Sequence, residues 1–238
     1  MKRETKNGQR ETGAREACGS TSRIPHSAIL PLLAAGCLFA SVAQAGTQVY
    51  TPLSASVRTA LQHSVSDQAA PNSVFATQYE ADTWLNEMSR RLQKKIPDDG
   101  YRTDFLKTVH YEARRAGLDP QMVLGLIEVE SNFRKYAVSR AGARGYMQVM
   151  PFWVKEIGTP DNNLFHLRTN LRYGCTILRY YLDMENGVLY RALGRYNGSL
   201  GRPEYPNMVH AAWRKYGNAT PRVSTAEDSL RRTAFSNQ

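Results

Sequence analysis

The sequence predicts a mainly α protein with at most one small hairpin. Three observations carry that prediction. From residue 78 onward, apolar residues recur at the three- and four-residue spacing of helix faces. Helix start and stop signals separate those stretches. No Val/Ile/Thr-rich alternating run, the mark of a half-buried strand, occurs anywhere in them.

The elements follow in order. Residues 46–77 are rich in Ser, Thr, Gln and Ala, with one weak helical stretch at 57–65, and read as a flexible arm or linker. Residues 78–102 form an N-terminal helical extension: Trp84, Leu85, Met88 and Leu92 fall at helical spacing up to about residue 95. The run Pro97-Asp98-Asp99-Gly100 breaks that helix. A second helix over 103–116 stops at Gly117, a C-cap signal. Asp119-Pro120 then supplies an N-cap with proline at the first helical position, opening a helix to about residue 133. A glycine-containing link at 140–145 follows, with room for a short hairpin around 136–146. Further helices are expected at about 147–157, 168–185, 188–195 and 203–216, then a C-terminal tail over 217–238.

Composition narrows the function classes. The chain has 238 residues, 31 Lys plus Arg against 21 Asp plus Glu, and a net charge of +10. Its 42% hydrophobic and 10% aromatic content suffices for a packed core and excludes a wholly disordered chain or a multi-pass membrane protein. Three cysteines are too few for a disulfide scaffold. The basic excess points to a polyanionic partner: nucleic acid, membrane surface or anionic wall polymer.

The first 45 residues read as a signal peptide. A basic stretch precedes an apolar run over 28–43 that ends in Ala43-Gln44-Ala45, an A-x-A cleavage site. The run is short for a spanning helix, which needs about 20 apolar residues. The expected location is therefore exported and periplasmic, with no membrane span after cleavage. The alternatives are an uncleaved anchor, or a lipoprotein at Cys37, against which Ala34 and the apolar sequence past Cys37 both argue. Six basic and three acidic residues leave with the leader, so the charge falls from +10 to +7. Cys18 and Cys37 leave too. Cys175 then stands alone among Leu171, Ile177 and Leu178, the setting of a buried structural thiol.

One acidic residue stands out. On the helix 120–133, Val123, Leu126, Ile127 and Phe133 all lie within about 60° of Glu130, whereas Glu128 points to the opposite, solvated side. A carboxyl buried on an apolar face has its pKa raised, because its charged form loses hydration. It then holds a proton near neutrality, as a general acid must. The competing reading is an ion pair of Glu130 with Arg134 or Arg144.

The sequence that follows suits a ligand cleft. Small residues at 141–145 permit close backbone approach, or simply make a tight turn. Gln148 is a neutral donor and acceptor amid apolar residues, fit to orient a sugar amide or to be satisfied within the core. Arg195-Tyr196-Asn197-Gly198 is a helix end entering a glycine-rich loop, with Tyr205 beyond it; tyrosine offers a flat apolar face and a hydroxyl to a sugar.

These motifs, occurring in order, carry a resemblance. Glu130, Ser131 and Phe133 (ES-x-F), the stretch 142–151 (GxxGxMQxMP) and Tyr196-Asn197 with a later tyrosine resemble the SLT-type, family 1 lytic transglycosylase catalytic domain. The resemblance covers residues 103–216 and implies a helical lysozyme-like fold that cleaves bacterial peptidoglycan. It implies that Glu130 is the single acid/base, and that Ser139, Gln148, Met150, Tyr196, Asn197 and Tyr205 line the cleft. Two positions depart from the family pattern: Tyr146 stands where Leu is usual, and Arg195 where Ala is usual.

Glycosidases ordinarily use two carboxylates. Asp161, Asp183, Glu185 and Glu204 are available, but none sits in a motif resembling a nucleophile site. The resemblance therefore implies a one-carboxylate reaction that breaks the MurNAc-GlcNAc β-1,4 bond and leaves 1,6-anhydro-MurNAc ends. Two other readings compete with it: a lysozyme-like muramidase, and a noncatalytic wall-binding module of an envelope assembly whose partner the sequence does not identify. Nucleic-acid binding has only scattered Lys and Arg in its favour, with no recognition motif, and export argues against it. No cofactor is expected, because the five His are isolated from metal-ligand spacings and no phosphate-binding loop follows a strand. The expected partner is the peptidoglycan glycan strand.

Overall fold

The computed structural model describes residues 48–66 and 77–217. The expected signal peptide, Cys18, Cys37 and positions 218–238 of the expected tail lie outside the described residues. Within them the order is α1 (Ala55–Ser66), α2 (Gln78–Leu92), α3 (Asp99–Arg115), α4 (Pro120–Ser131), α5 (Phe152–Ile157), α6 (Leu167–Met184), α7 (Leu189–Asn197) and α8 (Glu204–Tyr216). The fold is mainly helical, as the sequence predicts.

Side-chain caps set several boundaries. Thr77 accepts from the Glu80 N–H to open α2, and Asp119 accepts from the Met122 N–H to open α4 ahead of Pro120. α3 begins at Asp99, four residues earlier than expected. Asp98 acts as its N-cap by accepting from the Tyr101 N–H, so the Asp-Asp-Gly run that reads as a breaker is the start of a helix. α4 ends at Ser131, two residues earlier than expected, because Asn132 and Phe133 both take positive φ (49° and 62°). Phe133 remains in the core nevertheless, edge-on to Phe105 and Tyr216.

The stretch 137–150 departs most from expectation. The helix foreseen over 147–157 begins only at Phe152, and in place of a hairpin there are two isolated antiparallel bridges, Val138 with Arg144 and Arg144 with Val149. Gln148, at φ 48°, turns the chain between them.

The segment expected to be a flexible arm contains a packed helix. Leu61 and Val65 of α1 are buried. Arg58 pairs with Glu156 at 3.0 Å, and Arg115 Nη2 donates to the Ser64 carbonyl at 2.6 Å. α1 lies on α5 and α6. Its apolar stripe is only one residue wide per turn, so the surrounding Ser, Thr and Gln hide it in composition.

At the centre, α4 is buried along nearly its whole length and crosses α8 closely. A Cβ on Gly125 would lie 2.6 Å from the Trp213 backbone nitrogen, so only glycine permits the approach. α3 and α6 meet over a buried charge cluster. Glu112 is fully buried and accepts from Arg172 Nη2 at 2.8 Å and Arg115 Nε at 3.1 Å. Cys175 is buried as expected, and burial pushes its thiol up.

Candidate active site

Glu130 lies in the last turn of α4 and is 4% exposed. Burial raises its pKa to about 8, and the hydrogen bond it accepts from the Tyr205 hydroxyl pulls in the opposite direction. Tyr205 Oη donates to Glu130 Oε1 at 2.5 Å. The other oxygen, Oε2, is buried without a hydrogen-bond partner among the described residues. The alternative ion pairs do not form among those residues. Arg134 Nε donates to the Ser131 carbonyl at 3.1 Å, and the Arg144 guanidinium lies over the Phe165 ring at 5.9 Å. The carboxyl on the apolar face is thus an uncompensated buried acid.

Glu128 differs from its expected solvated state. It accepts from Lys215 Nζ at 2.6 Å and from the Tyr216 hydroxyl at 2.7 Å, tying α4 to the end of α8. The two carboxylates still part in character: Glu128 is charge-paired and Glu130 is not.

The loop 137–150 is held by its own polar groups. Ser139 Oγ accepts from the Ala143 N–H at 3.1 Å. Gln148 is 1% exposed, and its Nε2 donates to the Ala137 carbonyl at 3.1 Å and the Gly145 carbonyl at 2.9 Å. Its amide nitrogen therefore serves the loop. Met150 is half-buried at the loop's end.

The remaining expected residues come from α7 and α8. Tyr196 is fully buried, and its hydroxyl donates to the Met147 carbonyl at 2.7 Å, joining α7 to the loop. Its own pKa is pushed well above the ordinary phenol value, by burial first and then by the nearby Glu130 charge. Asn197 is buried at the end of α7, where Gly198 at φ 78° stops the helix. Tyr205 stands in the first turn of α8. The structure therefore brings Glu130 and Tyr205 into direct contact, with Tyr196 within reach of the carboxyl's field.

Of the two departures from the family pattern, Tyr146 is packed away and Arg195 is half-buried in an ion pair. Tyr146 is 2% exposed, lies on Phe105, and shares a 2.7 Å hydroxyl–hydroxyl hydrogen bond with Tyr101. Arg195 pairs with Glu185, which also binds Arg191. That engagement commits Glu185 elsewhere, as pairing with Arg179 commits Asp183. Asp161 and Glu204 are exposed.

Sequence reasoning missed Asn170. This fully buried amide accepts from the Met147 N–H at 2.8 Å and donates to the Arg144 and Leu164 carbonyls at 2.8 Å each. A polar residue amid the apolar face of α6 was the available signal.

Residues 107–207 match the family model of the transglycosylase SLT domain. Among similar proteins, a membrane-bound lytic murein transglycosylase C of Mannheimia succiniciproducens is 34% identical over 84 residues, 35% of this chain and 21% of the relative. Its namesake in Haemophilus ducreyi is 33% identical over 113 residues, 41% of this chain and 31% of the relative. A transglycosylase of Enterobacteria phage PRD1 is 30% identical over 128 residues, 50% of this chain and 47% of the relative. The chain thus spans less than half the length of each of these relatives.

Proposed function

We propose that the protein is a lytic transglycosylase acting on peptidoglycan glycan strands, a reading supported by the match of residues 107–207 to the transglycosylase SLT domain model. The single observation that carries this reading is the buried, unpaired Glu130 carboxyl, raised to about 8 and addressed by Tyr205. At neutral pH it holds its proton and can deliver it to the glycosidic oxygen between MurNAc and GlcNAc. Among the described residues, Glu128, Asp183 and Glu185 are paired with cations, which favours a reaction needing one carboxylate.

In that reaction the C1–O bond breaks as Glu130 protonates the leaving oxygen. The substrate's 2-acetamido oxygen stabilises the cationic C1. Glu130, now ionised, takes the proton from the muramyl C6 hydroxyl, whose oxygen bonds to C1. The proton returns to Glu130, no water is consumed, and the product end is 1,6-anhydro-MurNAc. Gln148 and Ser139 shape the loop facing this centre, Met150 ends it, and Tyr196, Asn197 and Tyr205 form the opposing helical side. We place the enzyme in the periplasm, exported by the leader that ends at Ala45.

Mass spectrometry of purified murein digests tests the reading. Anhydro ends, one water lighter than reducing ends, are expected. Reducing ends alone would make the protein a muramidase. Absence of any released muropeptide would favour a noncatalytic wall-binding module. Glu130→Gln keeps the shape and removes the acid, and should lower turnover at least about a hundredfold.

A further inference from the structure

The polypeptide ahead of α1 reaches the candidate active site. Gln48 is 4% exposed, although it lies in a segment without regular structure. Its Oε1 accepts from Trp153 Nε1 at 2.9 Å and from the Met150 N–H at 3.4 Å. Met150 is the last residue of the loop that carries Gln148, and Trp153 lies in the first turn of α5 behind it. The other end of the Gln48 amide, Nε2, is buried without a partner of hydrogen-bonding geometry among the described residues. It faces the Tyr196 hydroxyl, which feels the charge of Glu130.

The segment is anchored on both sides of Gln48's neighbours. The Tyr50 ring stands edge-on to Phe152 at 5.5 Å, Leu53 is buried, and α1 follows with its ion pair to Glu156 of α5. Four contacts thus tie residues 48–58 to residues 150–156. A glutamine seated only for stability would have both ends of its amide satisfied. Here the carbonyl is used twice and the amide nitrogen is left towards the tyrosine beside the acid.

Resting on the transglycosylase reading above, we propose that Gln48 is a positioning residue of the active site. It fixes the Met150 edge of the cleft and the Trp153 indole, and it steadies Tyr196, whose hydroxyl donates to the Met147 carbonyl at the base of the same loop. The catalytic unit then begins at residue 48, well ahead of the residues that match the family model. With cleavage after Ala45, Gln48 is the third residue of the exported chain.

The test compares full-length variants on purified murein, with kcat and KM separated. Gln48→Leu, of similar volume, should lower kcat about tenfold or more with KM changed less than threefold, because misplacement costs orientation more than binding. Gln48→Glu retains the acceptor for Trp153 and Met150. Held protonated by burial, its carboxyl also keeps a donor towards Tyr196, so it should recover most of the kcat that Gln48→Leu loses. Val49→Ala, at the exposed neighbour of Gln48, is the control and should keep wild-type kcat. Wild-type kcat in both Gln48 variants, or an equal loss in both, with any other effect confined to thermal midpoint, would overturn the assignment while leaving the transglycosylase reading intact. A wild-type protein that releases no muropeptides would overturn that reading and this one with it.

Discussion

The Tyr205 hydroxyl donates a 2.5 Å hydrogen bond to Oε1 of Glu130, joining the first turn of α8 to the last turn of α4. Tyr205 is buried, and its pKa is pushed well above the phenol value by burial and by Glu130 itself. It therefore remains a donor throughout the range in which the carboxyl titrates. The carboxyl gains one directed partner and no counter-charge.

Tyr205→Phe removes that donor while keeping the ring. The bond opposes the rise in the Glu130 pKa, so its loss should carry the pKa higher and move the alkaline limb of the activity profile upward. A hydrogen bond to a charged group contributes about 1.5–3 kcal/mol, so turnover should fall roughly 10- to 100-fold. A pH–rate profile of the variant on murein measures both effects.

Glu130 should make the folded protein less stable as pH rises. Its folded pKa, about 8, exceeds the ordinary value of 4.5, so between those pH values the unfolded chain has lost a proton that the folded chain keeps. The stabilisation from this group is complete below about 4.5 and is lost as pH climbs through 8, at about 1.4 kcal/mol per pH unit. Glu130→Gln lacks the titration. Its thermal midpoint should exceed that of the wild type at pH 9 and the difference should shrink at pH 4.5, as differential scanning calorimetry can establish.

Much of this arrangement was legible in the sequence, and the illegible parts share a cause. The α4 periodicity placed Glu130 on the buried face, and the Asp119-Pro120 pair fixed where the helix starts. Local signals of that kind need no knowledge of the rest of the chain. Asn170, Gln48 and the Tyr101–Tyr146 hydroxyl pair act across 23, 105 and 45 residues of sequence, and no spacing rule reaches that far. The loop 147–150 reads as helix because its residues are good helix formers. Tertiary bonds from Asn170 and the positive φ at Gln148 override that preference.

Asn170→Ala should loosen the loop without touching Glu130. The Met147 N–H and the Leu164 carbonyl lose their Asn170 partner, and the Arg144 carbonyl keeps only the Val149 N–H. A cost of about 2–4 kcal/mol is expected in urea unfolding, with amide hydrogen exchange accelerated over 144–148 more than in α4.

Glu112 should be the most sensitive charged residue outside the site. Arg172 is nearly fully buried against it, so Glu112→Gln leaves an arginine in the interior without a counter-charge. Breaking such a pair costs about 3–5 kcal/mol, and the loss should register in denaturant midpoints rather than in the shape of the pH–rate profile.

The proposed chemistry rests on one buried acid, Glu130. The most direct measurement is the pH dependence of kcat on purified murein, with Glu130→Gln as the blank. Activity should be sustained through neutrality and lost as pH rises past about 8, with the blank flat and near zero. An alkaline limb that persists in the blank, or a wild-type profile that falls away near pH 5, would contradict it.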